Sequence, residues 1–256
     1  MGSTGKAGSA ATAAPTTTPQ AVTPTGLQEG DSQDVIQKYY SDNYGIAVGG
    51  SYFRDNLSTK VLVRASQVLD KLSQELDPSV LRDMGIRITS MKLKPSTYGQ
   101  TNLLNRQIGL NSQMFQSYDT VKANMHQDVS RGFHPKGSQA ADVLIHEIGH
   151  NFEFLIADRQ SKGNQFNLLM AFNGQSYSKA IVQAAYAELK KEQPNLYKTE
   201  KQARRSISGY ADSKTKTGHV HYSETLAEAV SDYGRNGQNA NPMSIKIWQG
   251  IKEMLK

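Results

Sequence analysis

The sequence predicts an α+β domain with a small mixed sheet early in the chain, a mostly helical second half, and a low-complexity tail ahead of both. Two patterns carry this. Apolar and polar residues alternate with period two in short segments between residues 86 and 111, whereas longer segments, most of them beyond residue 140, space their apolar residues near the helical period. A third observation sets the boundary. Residues 1–30 are Gly, Ala, Ser, Thr and Pro with almost no large apolar side chain, so burial cannot offset the entropy of ordering them. They read as a disordered tail or linker, and residues 31–256 as one domain.

Taken in order, Val35 to Tyr40 reads as a short helix. Thr59 to Leu76 sets Val61, Leu62, Val68, Leu69 and Leu72 near helical spacing, with Ser58 placed to cap its start and Pro78 just past its end. Ile86 to Leu93 alternates and reads as a strand, and Gln107 to Asn111 as another. Ala140 to Ile156 reads as one buried helix. Further helices follow at Ser178 to Glu192 and Glu224 to Tyr233. A last one is opened by Asn241-Pro242, where the fixed proline φ suits a first helical position, and carries Ile245, Ile247, Trp248, Ile251 and Leu255.

Composition excludes several classes of function. A chain of 256 residues, 37% of them hydrophobic, can bury a sizeable core. It contains no cysteine, so disulfides, thiolate metal sites and cysteine nucleophiles are ruled out, and any metal must be held by nitrogen and oxygen. The net charge is +6, but the basic residues are scattered apart from short clusters at Lys190-Lys191 and Lys201 to Arg205, which argues against a nucleic-acid surface. No stretch approaches the roughly 18 apolar residues of a membrane span, and the first residues lack the apolar core of a secretory signal.

The motif that carries chemistry is His146-Glu147-Ile148-Gly149-His150. Imidazoles four residues apart project from one face of a helix, and Glu147 stands at the edge of that face, beside the position a metal would keep open. This is the spacing of a catalytic zinc site. The rival reading is a pair of hydrogen-bonded core histidines. In so apolar a helix, two His and a Glu are costly to bury without a partner that satisfies them all.

Catalytic zinc takes three protein ligands, so a third must come from elsewhere. The longer pattern with a third His close behind is absent, because position 153 is Glu and position 156 is Ile. Downstream, Glu224, Glu228 and Asp232 recur every four residues on an otherwise apolar helix. Aligned carboxylates repel unless a cation or imidazole relieves them, so one acid as ligand and the next behind a ligand imidazole explains the array. Two registers compete: Glu224 as ligand with Glu228 behind it, or Glu228 with Asp232 behind it. The second resembles the thermolysin-type signature. His219 and His221 alternate in a polar segment beside Gly218 and read as a solvent-facing loop, and His134 is the remaining histidine of interest.

The motif at 146–150, Ser208-Gly209-Tyr210-Ala211 and Glu224-Thr225-Leu226-Ala227-Glu228-Ala229 together resemble the anthrax lethal factor-like (gluzincin) metallopeptidase domain, which has relatives in phage and mobile elements. Gly132-Phe133-His134-Pro135-Lys136-Gly137 resembles the lead-in of the phage relatives. Thr225 and Leu226 stand where that family has aromatics, and the Tyr210 to Glu224 connection is longer, through a polar stretch at Lys214 to Val220.

The resemblance implies a zincin-like fold and zinc held by His146, His150 and Glu224, with Glu147 as general base, Tyr210 supporting the oxyanion, and Glu228 orienting a ligand histidine. Tyr222 rivals Tyr210 for its role, and the strand at Gln107 to Asn111 would be the edge strand that holds a peptide. Peptide or protein substrates and phage structural proteins are the implied partners, and a virion or the bacterial cytoplasm the implied location. A phage structural protein that has kept the fold without turnover is the alternative function.

Overall fold

A computed structural model describes residues 26–256. Most of the segment read as a tail, residues 1–25, lies outside the described residues. Packing begins before residue 31, since Leu27 is 3% exposed in the core and Glu29 pairs with Lys60 and Arg64. The chain runs α1 (Gln33–Tyr44), β1 (Ala47–Val48), α2 (Gly50–Arg54), α3 (Thr59–Ser73), α4 (Ser79–Asp83), β2 (Arg87–Met91), β3 (Gly99–Asn102) and β4 (Gln107–Asn111). Then come α5 (Ser112–Phe115), α6 (Tyr118–Ser130), α7 (Asp142–Ser161), α8 (Gln165–Asn173), α9 (Ser176–Glu192), α10 (Glu200–Ile207), α11 (Tyr222–Asn236) and α12 (Pro242–Leu255). The α+β class is as the patterning predicts.

The four strands form one mixed sheet in the order β1-β2-β4-β3, with β2 parallel to β1 and β4, and β3 antiparallel to β4. This corrects the strand at Gln107 to Asn111: it is interior, flanked by β2 through Ile88↔Ile108 and by β3 through Gly99↔Leu110. The edge strand on that side is β3, which the alternation missed because Gly-Gln-Thr-Asn has no apolar face and is held by its backbone pairing. Buried Asn111 fixes the loop that enters β3, since its side-chain amide donates to Lys94 O and Thr97 O while its oxygen accepts from Gln113 N.

Behind the sheet, α7 is buried along almost its whole length and packs on α11 more extensively than on any other element. The two helices come so close that a Cβ at Gly149 would lie 2.7 Å from Ala227 Cα. Helix α12 closes the far side. Asn241 caps it by accepting from Met243 N, and Met243, Ile247, Trp248 and Ile251 point inward, each contributing about 2 kcal/mol by leaving water. Trp248 stacks on Tyr233 of α11 and meets Phe152 of α7 edge-on, which locks these three helices to one another.

Candidate metal centre

His146 and His150 lie one turn apart on the side of α7 that faces α11, their ring centroids 4.9 Å apart at 84°. Opposite them α11 delivers Glu224, whose Oε2 is 3.1 Å from His146 Nε2 and 3.5 Å from His150 Nε2. One donor atom from each residue falls within 4.8 Å of the other two, so the three side chains can hold a metal ion. Bonds of about 2.0–2.1 Å in a tetrahedron put neighbouring donors about 3.3 Å apart, a value that lies between the two carboxylate–imidazole separations. Glu224 Oε2 is buried yet takes no hydrogen bond, because the nearby ring nitrogens approach it off the donor direction. Two imidazole nitrogens and a carboxylate oxygen converging on one point form a group that could hold a cation.

Each imidazole is turned by a partner on its other nitrogen. His150 Nδ1 is 3.0 Å from Ser223 Oγ, and His146 Nδ1 is 2.9 Å from Glu228 Oε1, close but poorly aligned for a hydrogen bond. Such contacts fix ring orientation and leave Nε2 for a metal. Glu228 is itself held by His134 Nδ1 at 3.2 Å and by the Ser208 hydroxyl, which donates to it at 2.9 Å.

Burial alone would push the Glu224 carboxyl up, but His150 and His146 outweigh it and hold it well below the carboxylate range. Burial acts likewise on Glu228, and His134 and His146 bring it down to about 2. Burial opposes the His146 imidazolium, yet Glu224 and Glu228 raise its pKa well above the ordinary value; His150 is raised by Glu224 against the same penalty. Protons on the imidazoles thus balance the carboxylates, and a cation must displace them to bind.

Glu147 stands at the edge of the ligand face as the spacing predicts. Thr101 of β3 donates its hydroxyl to Glu147 Oε2 at 2.6 Å, and a Cβ at Gly99 would come within 3.1 Å of Oε1. Tyr210 covers the other side, its ring stacked on His146 (5.7 Å, 21°) and on Phe133 (4.9 Å, 26°). Its loop is tied down by Gly209 N to Gly132 O and Tyr210 N to Phe133 O. Burial first, then the carboxylates of Glu224, Glu147 and Glu228, push the Tyr210 phenol up, so it stays a hydrogen-bond donor. A cavity of about 180 Å³ opens between Gly99, Glu147, His146 and Tyr210.

Of the two registers on α11, the structure brings Glu224 to the imidazoles with Glu228 behind it. Asp232 is a correction. It reaches neither histidine, because Oδ2 accepts from Asn241 N at the start of α12 and Oδ1 from the Asn236 side chain. Tyr222 also lies elsewhere, accepting from Gln183 and covered by the Arg204 guanidinium. His219 is exposed in a turn closed by Thr215 N to His219 O, while His221 Nδ1 reaches only to 3.8 Å from Glu224 Oε1. Ser223 and Thr101 were not foreseen, since a serine or threonine next to a functional residue carries no spacing signal.

Among the described residues no helix is long and apolar enough to cross a membrane. No family model, no curated protein and no solved structure matches the chain.

Proposed function

We propose that the chain is a zinc-dependent endopeptidase of the lethal factor-like gluzincin type, with His146, His150 and Glu224 as ligands. The observation that carries the reading is Glu147, a carboxylate beside the metal-competent group and at the same time against the edge strand β3. Hydrogen-bonded core histidines would need no third carboxylate at their edge and no cavity in front of it.

Zinc, when bound, supplies Lewis acidity that lowers the pKa of a water towards neutrality and polarises a carbonyl. Glu147 accepts the proton of the attacking water and passes it to the leaving nitrogen, its carboxylate steadied by Thr101. Tyr210 donates to the developing oxyanion from its stacked position over His146. Glu228 and Ser223 keep the two imidazoles turned towards the site. The substrate strand pairs with the outer edge of β3, whose Gly99, lacking a Cβ, lets Glu147 pack close against that strand.

The test is a peptide-library digest of the zinc-loaded parent and of Glu147→Gln, with metal content measured on both. The parent cleaves, and the variant binds equal zinc and loses about a hundred- to ten-thousandfold in rate, the scale of removing the base. A parent that carries stoichiometric zinc and cleaves nothing, or a variant that cleaves as fast, sinks the reading.

A further inference from the structure

The cavity in front of Glu147 shares Ser96, Tyr98, Asp128 and Phe133 with a second, larger cavity of about 360 Å³ on its far side. Asp128 sits on the wall common to both. It is the one charged side chain lining the second cavity, where Asn124 and Gln127 supply further polar groups. Tyr98 donates its hydroxyl to Asp128 Oδ2 at 2.7 Å, which fixes the carboxylate and leaves Oδ1 without a hydrogen bond. Burial, then the Asp128 charge, raise the Tyr98 phenol, so the tyrosine stays a donor. Among the described residues no lysine, arginine or histidine forms an ion pair with Asp128, although Lys122 and Arg131 are exposed nearby in sequence. Phe133, 43% exposed, lines both cavities and offers them an aromatic side chain.

We infer that the two cavities form one side-chain subsite, which takes a lysine or arginine flanking the bond to be cleaved and pairs its cation with Asp128. A long stem is needed to pass from the Glu147 end to the second cavity, and an aliphatic stem suits the Tyr98 and Phe133 faces. The far end excludes the alternatives. An apolar side chain would leave Asp128, Asn124 and Gln127 facing it unpaired, and an acidic one would meet the Asp128 carboxylate. That the selected residue flanks a scissile bond rests on the peptidase reading; the affinity for a cationic side chain does not.

The experiment therefore measures binding and cleavage separately. Zinc-loaded Glu147→Gln is titrated with fluorescent octapeptides carrying Arg, Lys, Gln, Met or Glu at one varied position, each compared with the same titration of Glu147→Gln/Asp128→Asn and Glu147→Gln/Asp128→Glu. Asp128→Asn keeps an oxygen for Tyr98 and removes only the charge, and thermal melts confirm that each variant is folded. The Arg and Lys peptides bind about tenfold or more tighter than the Gln peptide, the scale of a charge-assisted hydrogen bond. Asp128→Asn abolishes that preference and Asp128→Glu retains it. Equal binding of the Arg, Gln and Glu peptides, or a preference that survives Asp128→Asn, overturns the subsite. A basic preference in binding together with no cleavage by the parent leaves the subsite standing and removes the peptidase.

Discussion

Gly149→Ala tests whether the crossing of α7 and α11 sets the ligand geometry. The new Cβ would stand 2.7 Å from Ala227 Cα and 3.2 Å from Ala227 Cβ. Carbon atoms sit comfortably at about 3.5–4.0 Å, so the helices must separate by about 1 Å. Glu224 precedes Ala227 by less than one helical turn, so nearly all of that movement reaches its carboxylate. The separations to the imidazoles, now 3.1 and 3.5 Å, would then rise to roughly 4 Å or more, well beyond the roughly 3.3 Å edge of a zinc tetrahedron, a site that tolerates bond errors of only about 0.2 Å.

The metal-free fold suffers less. Overpacking costs about 1–3 kcal/mol, and replacing a helical glycine by alanine returns about 1 kcal/mol. A net loss of about 1 kcal/mol lowers Tm by about 3 °C in a chain of this size. Zinc affinity, by contrast, falls about a hundredfold, the upper end of what misoriented ligands cost. Competition against a chromophoric chelator reads the affinity, and melts in excess EDTA read the fold. Zinc uptake within threefold of the parent would refute the reasoning, as would a collapse of the EDTA melt that accounts for the lost metal.

Ser223→Ala removes the group that turns His150 and weakens zinc about tenfold by the same competition; an unchanged affinity denies Ser223 that role. Tyr210→Phe lowers kcat about a hundred- to a thousandfold with KM and zinc unchanged, whereas Tyr222→Phe stays near the parent, and the opposite ranking would exchange the two tyrosines. Glu75 accepts from Tyr233, Trp248 and Lys252; burial alone would raise its pKa, but Lys252 and the two aromatic donors lower it. A carboxyl depressed in the folded state stabilises the protein above its ordinary value of 4.5, and that contribution is lost as pH falls through the lowered one. Glu75→Gln therefore melts below the parent at pH 7, and the gap closes on acidification below about pH 4. A gap independent of pH would show that the charge contributes nothing.

What the sequence disclosed and what it hid divide by range. His146, Glu147 and His150 were legible because their geometry is set within one helical turn, and α12 because Asn241-Pro242 is a local start signal. β3 was hidden because a polar edge strand owes its position to β4, and α6 because only Val121 and Met125 of its face are buried. For the third member of the metal-competent group the resemblance implied Glu224, but spacing alone left Glu224 and Glu228 open, because the point at which another helix crosses the stripe of acids is tertiary information.

One residue held that information. Glycine inside a buried helix costs about 1 kcal/mol relative to alanine, so Gly149 marks a place where another backbone must come close. Its counterpart is Ala227. With about 100° per residue, Glu224 lies about 60° around α11 from Ala227, Glu228 about 100° and Asp232 about 140°. The acid nearest the crossing meets the imidazoles, the next reaches them from behind, and the third has rotated far enough to meet the start of α12. The choice between two registers that carboxylate spacing left open thus follows from a glycine and an alanine, neither of which has any chemistry of its own.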